Sequence, residues 1–227
     1  MIKKIFLLCV YCCCIYAAGW TIVGDTFTAD KGTCEFDIWL NASQKSQNLG
    51  FYGDCVIFKY TSLQIANNAS TQSLENKGFI EIEQGFYTTK DNFFNIGIIG
   101  GSIINTDISH RNSNFYAYFP LSFNWLNERL RTTINIGWAY HTGMKQNLLT
   151  LGASISGNIT KRIWVVSEFS TSNAPHLLLN ASFYQIGASF LIHKDNISLD
   201  LAYLNSFRSN DLGTLIFGIS FNAKLFD

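Results

Sequence analysis

The chain has 227 residues, of which only 14% are charged and 15% aromatic, with 17 glycines and 2 prolines. Soluble proteins average about 25% charged residues, so this composition offers too little polar surface for ordinary exposure to water. Its 16 basic residues are balanced by 16 acidic ones, and without a basic excess nothing steers the chain toward a nucleic acid.

At the N-terminus, Lys3 and Lys4 precede an apolar run from Ile5 to Ala18, and the small residues Ala17, Ala18 and Gly19 stand before Trp20. This charged, apolar, small-residue order predicts a secretory signal over 1–19, cleaved before Trp20. As a helix the run would reach roughly 21 Å, short of the ~30 Å hydrocarbon core, which argues against an uncleaved anchor. A lipoprotein signal needs a small residue before its cysteine, and Tyr11 precedes Cys12. After Trp20 no run of roughly twenty apolar residues occurs, so a mature chain that crosses a membrane must do so with strands.

From residue 32 onward apolar and polar residues alternate with period two, the signal of strands rather than helices. Eleven segments show it: 32–41, 51–65, 78–88, 92–104, 115–125, 131–142, 147–157, 162–170, 180–192, 196–204 and 213–226. Most reach the ~9 to 11 residues that a tilted membrane strand needs. In the clearest, Thr132, Ile134, Ile136, Trp138 and Tyr140 alternate with Arg131, Thr133, Asn135, Gly137, Ala139 and His141. Pro120 sits inside a predicted strand, where it removes a ladder donor and predicts a bulge.

Of the 6 cysteines, Cys34 and Cys55 lie in the mature chain. Export favours a disulfide between them, and the polar stretch from Ser43 to Asn48 allows the hairpin it requires. If Phe36, Ile38, Val56 and Phe58 all face lipid, however, the two cysteines fall on opposite faces unless a bulge shifts the register. The sequence leaves both outcomes open.

Connections at 89–91, 126–130, 158–161 and 193–195 are short, whereas 66–77, 105–114, 171–179 and 205–212 are mostly longer and richer in Asn, Ser and Asp. Outer-membrane barrels have short periplasmic turns and longer outer loops. Two connections misfit: 42–50 falls by parity in the periplasmic set and is long, and 143–146 falls in the outer set and is short. Strand 32–41 would then run down into the periplasm, which leaves a strand missing, because bacterial barrels have even strand numbers and the chain enters from the periplasm. Residues 20–28 (WTIVGDTFT) supply it, giving an all-β, antiparallel transmembrane β-barrel of about 12 strands, with 10 as the alternative count. Residues 20–31 are thus a first strand or a plug threading the lumen of a single barrel domain over 20–227.

If the greasy residues face lipid, the lumen receives a polar wall of Glu35, Asp37, Lys59, Glu81, Glu83, Arg131, Asn135, Glu168, Asp200 and Lys224. Such a wall serves either a narrow polar pore or a salt-bridged, closed interior. No catalytic residues, cofactor or metal ligands are expected: His110, His141, His176 and His193 lack ligand spacing. Gly100 and Gly101 lack the strand-loop-helix setting of a phosphate cradle and read as close-contact points in the wall.

Several stretches resemble the outer-membrane, transporter-like family of the meta-pathway of phenol degradation. They are DKGTCEFDIWLN (Asp30 to Asn41), FPLSFNWLNERLRTTINIGWAYH (Phe119 to His141), ISGNITKRIWVVSEF (Ile155 to Phe169), YQIGASFLIHKDNISLDLAY (Tyr184 to Tyr203) and GTLIFGISF (Gly213 to Phe221). The resemblance puts Asp37, Glu168 and Asp200 at the family's acidic wall positions. It departs at Cys34 and at the end, where Asp227 follows Phe226. What it implies is a bacterial outer-membrane barrel moving small solutes, hydrophobic ones among them.

The function expected is therefore a narrow pore or facilitator for small-solute uptake. The alternatives are a structural or surface-interaction barrel with a closed lumen and, less favoured, a lipid-modifying outer-membrane enzyme. Its expected partners are outer-membrane lipid, the barrel-insertion machinery and a small-molecule solute, with no nucleic acid.

Overall fold

The computed structural model describes residues 30–44, 47–70, 76–105, 113–143, 145–171, 182–193, 196–207 and 213–226. Twelve strands follow one another in sequence: β1 (Thr33–Ser43), β2 (Gln47–Phe58), β3 (Thr61–Ser70), β4 (Asn76–Thr88), β5 (Phe94–Asn105), β6 (Ser113–Trp125), β7 (Leu130–His141), β8 (Gln146–Thr160), β9 (Ile163–Ser170), β10 (Phe183–His193), β11 (Ile197–Ser206) and β12 (Thr214–Lys224). Each pairs antiparallel with its neighbours in sequence, and β1 pairs with β12 to close a barrel. Closure leaves the wall no free edge, the condition under which strands can lie in hydrocarbon.

The alternation sorts each strand into two faces, with the usual polarity inverted. On β7, Ile134, Ile136 and Trp138 are about half exposed while Thr133 and Asn135 are buried. On β12, Phe217, Ile219 and Phe221 are exposed and Ser220 is fully buried. Apolar side chains thus form the outer surface and polar ones the interior, an arrangement that suits lipid outside. An 11-residue strand such as β1, tilted by ~40°, rises about 28 Å, enough for the apolar band. Aromatic rings gather at both ends of the wall, as in membrane barrels. Phe93, Phe123 and Trp125 pack together at one end, and Phe169, Tyr184, Tyr203 and Phe207 at the other.

The twelfth strand arises differently from the expectation. Segment 51–65 is two strands, β2 and β3, folded back at Lys59 and Tyr60, where Tyr60 takes φ 67° and its carbonyl accepts the Gly85 N–H. The barrel therefore closes without residues 20–29, which with the signal segment 1–19 lie outside the described residues. The extra turn also inverts the parity at the start of the chain. β1 rises from the end that carries the connections 59–60, 89–93, 126–129, 161–162 and 194–196, and β12 returns there. This is the short-turn end. Connection 44–46 joins 71–75, 106–112, 142–145, 171–182 and 207–213 at the opposite, long-loop end, which corrects the parity of 42–50 and the predicted direction of strand 32–41, although 44–46 and 142–145 are both short for that end.

Bulges occur at Val56/Phe58, Gly85/Tyr87, Asn158/Thr160 and Leu191/His193. All lie beside short turns, where barrel rims bend. Pro120 produces no bulge. Pairing with β5 lapses between Tyr118 and Leu121 and resumes in the same register, while pairing with β7 is unbroken. The missing N–H is absorbed by a local gap in one ladder.

Cys34 and Cys55 are directly opposed on β1 and β2 and form a disulfide. Val56 is buried in the interior, so Cys55 lies on the outward phase with Cys34. The assumption that Val56 faces lipid was the one that separated them.

In the β4–β5 turn, the Asp91 carboxylate is held below its ordinary value by the Thr89 hydroxyl and then by the Phe93 N–H.

Candidate functional site

The interior wall is acidic on the β1–β4 side. Glu35, Asp54, Gln64 and Glu81 are successive register partners across those four strands, and all point inward by the alternation that buries their strand faces. Asp37 lies one inward step above Glu35 on β1, and Glu83 one step below Glu81 on β4. Glu35, Asp37, Glu81 and Glu83 are each at most 5% exposed. Tyr116 on β6 donates to Glu81 Oε2 at 2.5 Å, and the Gln64 amide donates to Glu83 Oε2 at 3.4 Å.

Two further carboxylates complete the set. Asp200 on β11 accepts from Ser220 Oγ at 2.6 Å and from Ser198 Oγ at 3.4 Å. Glu168 on β9 accepts from the Gln185 amide of β10 at 3.3 Å. Hydroxyl and amide donors thus orient the carboxylates.

Toward the long-loop end from the acidic belt the lumen turns apolar. Trp39, Tyr52, Ala66, Val166, Ala202 and Ile216 pack together, joined by Phe79 and Leu204. A second group, Ile99, Ile103, Tyr116, Tyr118 and Ala139, also meets Phe79 and faces the belt at its own level, Tyr116 in register with Gly101 and Glu81, and Tyr118 with Ile99 and Glu83. Glycines make room for the large rings. The Trp39 indole occupies the space a Cβ would need at Gly50, Tyr116 does so at Gly101, and Tyr118 at Gly137.

The β5–β7 side is polar near the short-turn end, with Arg131 as its charged group. Asn95, Ser122, Thr133 and Asn135 are buried there, with Ser122 and Thr133 hydroxyls 3.1 Å apart. Arg131, half-buried, donates through Nε to Asn124 Oδ1 at 2.8 Å, and the Asn124 amide donates to the Asn92 carbonyl at 2.7 Å.

Of the residues expected on the polar wall, Asp37, Glu81, Glu83, Asn135, Glu168 and Asp200 are buried on the inner face, and Arg131 is half-buried at its short-turn end. Lys59 is a correction: it sits in the exposed β2–β3 turn with its ammonium 4.9 Å from the Tyr60 ring centre. Lys224 ends β12 on the inward phase and is exposed at the rim. Asp54 is missed by the sequence reading because an outward Val56 carries the residue two before it outward as well. The lumen aromatics escaped it because both phases of β2 and β6 carry rings, so polarity does not separate them. His141 ends β7 half-buried, while His110 and His176 lie outside the described residues. Among the described residues no group of His, Cys, Asp and Glu is arranged to hold a metal.

A family model described as "Uncharacterised conserved protein UCP029691" matches residues 7–222. The chain belongs to this family. No curated protein matches its sequence. Among solved structures it is similar to the KdgM porin, with a TM-score of 0.67 and 12% identity over 82% of this chain and 98% of that one. The KdgM porin in complex with disordered oligogalacturonate gives 0.64 and 13%, with 82% and 98% covered. The NanC porin gives 0.61 and 9%, with 85% and 100% covered. An outer-membrane channel from Pseudomonas putida F1 gives 0.54 and 7%, with 88% and 98% covered.

At these identities the likeness is one of fold. That fold is a closed twelve-strand antiparallel β-barrel, here with an apolar outer belt. The resemblance to the meta-pathway family holds at this coarser level, since the family matched is another one.

Proposed function

We propose that the barrel is a narrow pore or facilitator for small solutes crossing the outer membrane. The observation that carries this reading is the inner wall itself: Glu35, Asp37, Asp54, Glu81, Glu83, Glu168 and Asp200 all point into the section of barrel that hydrocarbon surrounds. Removing a charge from water costs several kcal/mol even after relaxation, so ionisable groups at membrane depth face a water-filled path or one another. Among the described side chains the inner face sets these seven carboxylates beside Arg131, His141 and, at the rim, Lys224, so the lining is polar and suited to water. The KdgM and NanC porins share the fold, which supports the same reading. As the similar structures are porins and channels, we read the chain as a non-enzyme.

The packing of Trp39, Tyr52, Val166 and Ile216 favours a second reading, a closed barrel whose outer loops engage a partner. Recording from the purified barrel in planar bilayers separates the two. The pore reading predicts discrete conductance steps, and a silent membrane would support the closed barrel.

A further inference from the structure

Resting on the pore reading, we infer that this barrel selects small cations, organic ammonium and guanidinium compounds in particular, and excludes acidic solutes. Among the described side chains the inner wall carries the seven carboxylates named above against one guanidinium, Arg131. Even with Arg131 and Lys224 each matched to a carboxylate, the negative excess remains. Inside a low-dielectric wall such an excess focuses its field along the axis and concentrates counter-ions.

A second, independent feature points to the same ligand chemistry. Asn95 and Asn135 are 3% and 8% exposed, face the lumen from β5 and β7, and have side-chain oxygens that accept no hydrogen bond. Asn95 lies on the strand next to Glu81 and Glu83. Each amide thus leaves one acceptor oxygen unmet on the inner face, and what complements it is a solute that carries N–H donors.

The contrast with a structural relative sharpens the assignment. Oligogalacturonate, the molecule present in the KdgM complex, is a polyanion, and a polyanion is what this wall repels.

The test is the zero-current potential of the reconstituted full-length barrel across a potassium chloride gradient, with liposome swelling in arginine and in galacturonate as a second readout. The expected result is potassium favoured over chloride on the order of tenfold and faster swelling in arginine. The Glu81→Gln/Glu83→Gln variant should move the ratio toward unity. Asp37→Asn/Asp200→Asn, on the other strands, should do the same if the first pair fails to fold. A conducting barrel that prefers chloride, or swells faster in galacturonate, would overturn the inference and leave the pore reading standing. A silent barrel would overturn both.

Discussion

A Cβ added to Gly101 would lie 2.6 Å from the Tyr116 hydroxyl and 2.7 Å from the Ile80 carbonyl, whereas at Gly100 its nearest neighbour would be the Tyr116 carbonyl at 3.7 Å. Tyr116 cannot easily swing aside, because its hydroxyl is bonded to Glu81. Gly101→Ala should therefore cost about 1–3 kcal/mol, as overpacking does, while Gly100→Ala should stay within about 0.5 kcal/mol. Urea unfolding in lipid vesicles measures both. The sequence marked the pair as close-contact points, but only the inward phase of β5 assigns the contact to Gly101. Asp54 and Lys59 show the same dependence on phase. In FYGDCVIF, rings and aliphatic residues stand on both phases, so polarity alone does not reveal that Asp54 faces the lumen, and Lys59 leaves the wall because a turn begins there.

At the scale of elements, strands with one greasy and one polar phase were legible almost to the residue. The stretch 131–142 was found as Leu130–His141, and 213–226 as Thr214–Lys224. The β2–β3 turn was hidden because Lys59 and Tyr60 are not turn formers. Tyr60 holds a left-handed conformation that costs a non-glycine residue about 1–2 kcal/mol, and the pairing on both sides stabilises it. That one turn accounts for the strand count and the direction of β1. The disulfide joins β1 to β2 beside the seam where β1 meets β12, and it closes a loop with a sequence separation of 21. Loop-closure entropy for such a length is worth about 3 kcal/mol. Cys34→Ser/Cys55→Ser should lower unfolding stability by about that much, without changing strand content in circular dichroism. An unchanged urea midpoint would show that the crosslink contributes nothing.

On the scale of the whole molecule, the barrel turns a soluble protein's pattern inside out, with aliphatic side chains outward and carboxylates inward. Composition carried that message, since a chain with 14% charged residues has little polar surface, and the inward faces take up much of what there is. The height of the acidic belt relative to Trp39 and Tyr52 was not legible, because it depends on the register across β1–β4, which no single strand encodes. The account therefore stands on lipid outside and water inside the same wall. Ser154 is half-buried on the inner phase of β8, and its neighbour Ile155 is 50% exposed on the outer phase. With Cys34 and Cys55 joined, a cysteine placed at either site is a free thiol in the wall. The measurement is labelling of Ser154→Cys and Ile155→Cys, in barrels reconstituted in vesicles, by a small charged thiol reagent. Reaction at 154 with protection at 155 is the predicted result, and reaction at 155 with protection at 154 would contradict it.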